Sequence, residues 1–208
     1  MMNAKAADAR PYHHGDLRRA LVDAARRLLE TDGPAALSLR AVAREAGVSP
    51  AAPYHHFKDK GELLDAVAHE GWVQLDRVMG EAKAEADDGE KLIALGAAYV
   101  CFARDNPALY RVMYDGARNK DALPEHMHDG EDSAYCKVRH TMVEMGADAG
   151  AAIDLELATI AAWCGGHGLA EMAGFRQFDH LKEALGGEQA FIRAVLSHMS
   201  VFPRPSGR

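Results

Sequence analysis

The sequence predicts an all-α protein, with a small N-terminal three-helix unit followed by a larger helical bundle. Three observations carry this. Apolar residues recur at three- and four-residue spacing through almost every periodic segment. No alternating run of β-branched residues is long enough for a strand. Glycine, proline and aspartate clusters fall between the periodic segments at helix-length intervals. At 208 residues and 48% hydrophobic, the chain can bury a core without a metal or disulfide staple.

Leu17, Leu21, Ala24, Ala25, Leu28 and Leu29 share one face of a first helix, with Arg18, Arg19, Arg26 and Arg27 mostly off it. Asp32, Gly33 and Pro34 stop that helix. A short second helix runs from about Ser38 to Ala46, with Ser38 as N-cap, Leu39, Val42 and Ala43 apolar, and Gly47 breaking it. Ser49 and Pro50 then open a very short third helix, a hydroxyl at the N-cap and a proline at the first position. Pro53 withholds an N–H and disfavours helical geometry at Ala52, so a tilted or loosened first turn is expected.

Residues 58–61 make the next turn. Leu63, Leu64, Val67, Leu75, Val78 and Met79 continue into a long fourth helix, from Gly61 to about Ala86, ended by Asp87, Asp88 and Gly89. Further helices are expected at about 90–105, 107–114, 131–146, 152–174 and 188–200, with a short one at 178–185. Asn106-Pro107 and Gly186-Gly187 punctuate them. Residues 92–103 are apolar nearly all round, which marks a helix buried inside the bundle. The expected domains are 10–60 and 61–202, with a frayed tail at 203–208.

The net charge of -7 hides a split. Residues 1–64 hold ten basic against eight acidic side chains, and the remainder fourteen against twenty-three. A slightly basic end on an acidic body fits an anionic partner for the N-terminal unit. Cys101, Cys136 and Cys164 stand far apart and form no C-x-x-C pair, which fits a reducing cytoplasm. The opening residues lack the apolar core of an export signal, and no stretch reaches the roughly 20 apolar residues of a membrane span.

The most informative segment is 37–67, where two short helices meet across Ala46, Gly47 and Val48. Such a pair, joined by a tight glycine turn, sets the N-terminal end of its second helix into the DNA major groove. That end is bare here. Pro50 and Ala51, followed by Ala52, let the backbone approach base edges, with Ser49 beside them, and an alanine methyl can meet a thymine methyl. Tyr54, His55, His56 and Lys60 supply hydroxyl, imidazole and ammonium groups for phosphates. The plainer reading of Leu39, Val42, Ala43, Val48 and Phe57 is core packing, and Tyr54 can also be read as a half-buried core residue. His13 and His14 read as a loose tail, and Arg10 beside them reads equally as part of that tail or as a minor-groove contact.

Across residues 16–67 the chain resembles the tetracycline-repressor (TetR) family. The resemblance rests on the first helix, the turn formed by Ala43, Ala46, Gly47, Val48 and Ser49, the Tyr54-x-His56-Phe57 end of the reading helix, and Lys60. It implies that Arg40 reaches a guanine, that Pro50, Ala51 and Tyr54 face bases, and that Ser38, His56 and Lys60 hold phosphates. Pro53 departs from the family pattern, which usually has an aliphatic residue there. The 11–15 segment, the Ala-Ala-Pro-Tyr string and the run Trp163, Cys164, Gly165, Gly166, His167, Gly168 resemble one branch with a Trp and His-Gly signature in its C-terminal domain.

The second half holds no catalytic motif such as G-x-S-x-G or H-E-x-x-H. Its apolar helices carry Tyr99, Phe102, Tyr110, Met113, Tyr114, Tyr135, Met142, Trp163 and His167, which are ordinary core or the lining of a small-molecule cavity. The resemblance favours an effector site, for which Phe102, Tyr110, Met113, Tyr114, Tyr135, Trp163 and His167 are the candidates. His126, His128, Asp129, Glu131 and Asp132 have metal-ligand side chains, but their polar surroundings, with Gly130 among them, read as a solvated loop. No cofactor is implied.

Leu155, Leu157, Ile160 and Ala161 with Phe191, Ile192, Val195, Leu196 and Met199 are dimer material, and Ala158, Ala161, Ala162 and Gly165 permit close approach. TetR-like proteins pair through the corresponding two helices. The expectation is a homodimeric repressor that binds a palindromic double-stranded DNA operator and is released by a small-molecule effector, with no membrane partner. A helical enzyme using His167, Tyr135 or Cys164 lacks a nucleophile, base and orienting group at related spacings. A protein-binding adaptor leaves the pattern at 37–60 unexplained.

Overall fold

The computed structural model describes residues 14–118, 133–146 and 152–199. Every regular element among them is helical. The chain divides between Val67 and Ala68 into two compact units.

The first unit opens with α1 (His14–Asp32) and α2 (Leu39–Glu45). Ser38 caps α2: its side chain accepts the Ala41 N–H at 3.1 Å, a contact worth about 1 kcal/mol. Leu21, Ala24, Ala25 and Leu28 of α1 are buried with Leu39, Val42, Ala43 and Phe57, so the helical stripe read in the sequence is the core. Gly47 turns the chain at φ +70°, a conformation that costs an L residue its Cβ clearance. The Val48 N–H then returns to the Ala43 carbonyl at 2.9 Å.

The third helix is a single 3-10 turn, Ala52–His55, and Ala51, not Ser49, stands at its N-cap without a side-chain cap bond. Pro53 is the reason. It is buried, it has no N–H to give, and the turn closes instead through Tyr54 N–H to Ala51 O at 3.2 Å and His56 N–H to Pro53 O at 2.9 Å. α3 (Lys60–Glu85) starts from Asp59, whose carboxylate accepts the Glu62 N–H at 3.0 Å while Glu62 accepts the Lys58 N–H at 2.6 Å. Leu63, Ala66 and Val67 of α3 belong to the first core.

In the second unit the later part of α3 is joined by α4 (Lys91–Asp105), α5 (Pro107–Arg118), α6 (Ala134–Glu144), α7 (Ala152–Met172), α8 (Asp179–Leu185) and α9 (Glu188–His198). A short 3-10 turn, Arg176–Phe178, precedes α8. α4 is central, packing against α5, α6, α7 and α9, and Leu92, Ile93, Leu95, Tyr99, Val100 and Phe102 are buried along it. Ion pairs of Arg104 with Glu188 and of Arg193 with Glu90 tie it and the turn before it to α9. α5 runs beyond the expected end at residue 114.

Buried Gly71 brings α3 against α5. A Cβ there would stand 2.6 Å from Met113 Sδ and 3.0 Å from Leu109 Cδ1. Ser133 is the N-cap of α6, Asp76 of α3 accepts the Ala134 N–H at 2.5 Å, and Lys83 pairs with Glu144 at 2.9 Å.

Candidate functional site

The first candidate face is the segment that follows Gly47. Ser49, Pro50 and Ala51 are exposed, as are Tyr54 and His55, with Tyr54 54% accessible. That exposure answers the half-buried alternative: a core tyrosine would have its ring covered. Ser38 and Arg40 are also exposed, while His56 is half-buried. Behind this face Leu39, Val42, Pro53 and Phe57 are buried, so the exposed residues stand on packed ones.

Two contacts brace that support. The Arg18 guanidinium lies 5.2 Å from the Phe57 ring centre, and Arg27 Nε donates to Glu45 at 2.9 Å. Both partners of the latter pair are largely exposed, so it orients α2 against α1 more than it stabilises the unit. Lys60 is half-buried, and its ammonium donates to the Pro34 carbonyl at 2.9 Å, which fixes the Nζ beside the loop between α1 and α2. An ammonium has three protons, so further acceptors remain within its capacity.

The second candidate site is in the other unit, where α4, α5 and α7 bring three phenols and an imidazole together. Tyr99 Oη lies 3.0 Å from Tyr110 Oη, 2.6 Å from Tyr114 Oη and 3.2 Å from His167 Nδ1, and Tyr110 Oη lies 2.5 Å from the same nitrogen. With Nδ1 unprotonated, one donor order links the four groups through three of these contacts: Tyr114 to Tyr99, Tyr99 to Tyr110, Tyr110 to His167. Burial raises all three phenols above the ordinary tyrosine value, that of Tyr110 to about 12, so they remain proton donors at neutral pH.

Rings extend the cluster. Trp72 of α3 packs edge-on to Tyr114 at 5.3 Å and stacks with Trp163 at 6.5 Å, while Tyr135 lies 5.9 Å from Trp163. Tyr135 donates to Glu156 at 2.5 Å, and burial, followed by that carboxylate, raises its phenol. Beside these rings is a cavity of about 20 Å³ lined by Met79, Gly96, Tyr99, Val138, Ala162, Trp163 and Gly166. It is room for about one water. Gly166 keeps Tyr99 close: a Cβ there would already be 3.3 Å from the Tyr99 ring.

Of the expected pocket residues, Tyr110, Tyr114, Tyr135, Trp163 and His167 therefore meet. Met113 is buried against Gly71, and Phe102 is buried on α4. Three participants were not among the candidates: Tyr99, seen in the sequence only as one aromatic among many, and Trp72 and Glu156, which lie on helices whose apolar periodicity gives no sign of a shared site. The stretch with His126 and His128 lies outside the described residues, as does Arg10; among the described residues no group of His, Cys, Asp or Glu is arranged to hold a metal ion.

Comparison with known proteins agrees with both halves. Residues 21–67 match the family of bacterial regulatory proteins of the tetR family, and residues 92–197 match the tetracyclin repressor-like C-terminal domain. A solved protein of unknown function from Rhodococcus sp. RHA1 is 32% identical, with 90% of this chain and 94% of that one covered and a TM-score of 0.71. The TetR family transcriptional regulator PfmR from Thermus thermophilus shares the fold at 22% identity, covering 90% and 99% of the two chains with a TM-score of 0.58. A bacterial regulatory protein in the tetR family from Rhodococcus RHA1 does so at 22%, covering 86% and 94% with a TM-score of 0.59. With both of its units matched, one by the bacterial regulatory description and one by the C-terminal description, the chain belongs to the TetR family of transcriptional regulators, and is a DNA-binding regulator and not an enzyme.

Proposed function

We propose that the protein is a transcriptional repressor that binds a palindromic operator as a homodimer and leaves it when a small molecule enters the Tyr99, Trp163 and His167 cluster. The observation that carries this reading is the exposed string Pro50, Ala51, Tyr54 and His55 set on a buried helical core. Bare backbone and a projecting phenol suit a groove, and the packed residues behind them fix their direction.

The homodimer is supported by α7, which is apolar on both sides. Leu155, Ala162 and Leu169 are buried, whereas Leu157, Ile160, Ala161, Cys164 and Gly168 form an exposed stripe at three- and four-residue spacing. A second copy meeting this stripe across a two-fold axis would cover it and present two reading segments to successive major grooves. Phe191, Ile192 and Leu196 of α9 are buried within their own unit, so α7 offers the larger free apolar surface.

Release requires that the ligand bind one shape of the protein better than another. α3 is the element through which this reading couples the two functions, because it supplies Leu63, Ala66 and Val67 to the first unit and Gly71, Trp72 and Met79 to the second. The test is selection of DNA from a random library followed by footprinting. Two-fold symmetric sites protected by a dimer, with binding weakened strongly by Tyr54→Ala, are expected. Asymmetric sites occupied by a monomer, or undiminished binding of the variant, would overturn the reading.

A further inference from the structure

We propose that the effector is a small molecule with a saturated alkyl end, and that the cavity beside Tyr99 and Trp163 receives that end. The inference deepens the reading of the cluster as an effector site and rests on it. The cavity is partly open, is bounded by α3, α4, α6 and α7, and every wall atom that faces it is apolar. The polar atoms nearby are turned to one another instead. Tyr99 Oη is held among Tyr110, Tyr114 and His167, and the Trp163 indole N–H faces the Tyr114 oxygen. Tyr99 and Trp163 therefore line the cavity with ring carbon.

Such a wall selects the group that enters. A hydroxyl, ammonium or carboxylate passing into the cavity would give up its water and meet no partner, which costs neutral and charged groups alike. A water molecule fits the volume of about 20 Å³, but it needs several polar partners and the wall offers none. A methyl group needs no partner and gains by leaving water. The polar end of the ligand, whatever its charge, stays outside this wall.

Size separates an alkyl chain from a ring. The present volume is about that of a chain end, far short of an aromatic ring. Widening it is resisted on one side, where α4 and α7 pack closely through Gly96, Ala162 and Gly166, and a Cβ on Gly166 would already be 3.3 Å from the Tyr99 ring. The yielding part of the wall is Met79, an unbranched side chain that changes rotamer at low cost. Its movement lengthens the cavity for further methylenes without parting the helices. Met79 belongs to α3, so the displacement is delivered to the helix that the release mechanism uses.

Both tryptophans of the chain, Trp72 and Trp163, lie in the cluster, so the indole N–H signals of ¹⁵N-labelled protein report on it, and Trp163→Phe assigns them. Three probes separate the possibilities: n-hexanol, the hexanediol with a hydroxyl at each end, and phenethyl alcohol. Saturable movement of the Trp163 signal by n-hexanol is expected, with the diol bound at least about tenfold more weakly and phenethyl alcohol more weakly than n-hexanol. Two variants change the cavity in opposite senses. Ala162→Val fills it and should weaken n-hexanol about tenfold, whereas Val138→Ala enlarges it and should strengthen n-hexanol roughly threefold or more. Equal binding of the diol overturns apolar entry, and tighter binding of phenethyl alcohol overturns the alkyl class. An affinity for n-hexanol unchanged in both variants puts the alkyl end outside this cavity. Each of these results overturns the proposal and leaves the effector site standing. If none of the probes moves either indole signal at millimolar concentration, the proposal and the effector-site reading fall together.

Discussion

Arg40 and Lys60 are two cations of the first unit with different settings. Arg40 is exposed on the outer face of α2, free to extend, whereas Lys60 is anchored by its bond to the Pro34 carbonyl. Arg40→Ala is expected to relax preference at one base pair in each half-site, at about 1–3 kcal/mol, when binding is measured against a panel of operator variants. Lys60→Ala should weaken all sequences alike and reduce the salt slope by roughly one unit. A changed base preference in the lysine variant, or an unchanged one in the arginine variant, would exchange their roles. The residue types were legible in the sequence, because exposure of polar side chains on a packed three-helix unit follows from periodicity. The anchor on Lys60 was not, since it joins residues 26 positions apart.

Among elements, the turn between α2 and the 3-10 segment is the most exacting. Gly47 holds φ +70° with nothing within 4 Å of where a Cβ would stand, so an added methyl would meet no neighbour and the penalty is purely conformational. Gly47→Ala should therefore cost about 1–2 kcal/mol, read as a lower urea midpoint, and should weaken DNA binding by disturbing the reading segment. Gly71 presents the opposite case. It is helical, so alanine there gains roughly 1 kcal/mol of propensity, but its methyl would press on Met113 and Leu109. Net loss of stability in Gly71→Ala is expected; a gain would show that Met113 yields freely. Helix positions were readable because each carries its own apolar stripe and stop signals. The start of the third helix was not: Ser49-Pro50 has the form of a cap, but the competing influence of Pro53 shortens the element to one 3-10 turn.

For the whole molecule the decisive surface is α7. Leu157 and Ile160 are 59% and 45% exposed on an otherwise apolar helix, and charge placed there should be tolerated by the single chain but not by a pair of chains. Leu157→Glu combined with Ile160→Glu is expected to give a folded monomer in sedimentation analysis, with unchanged helicity and much weaker operator binding. A dimer that persists in this variant would place the interface elsewhere. The sequence by itself determined the all-α class, most helix limits and the helix-turn-helix unit, because these depend on local periodicity, capping and a many-position motif. Only the tertiary structure decided which aromatics share a site and which side of α7 is free. Tyr99, Tyr114, Trp72 and His167 come from four helices, and their meeting depends on helix rotation and packing, which no local pattern encodes.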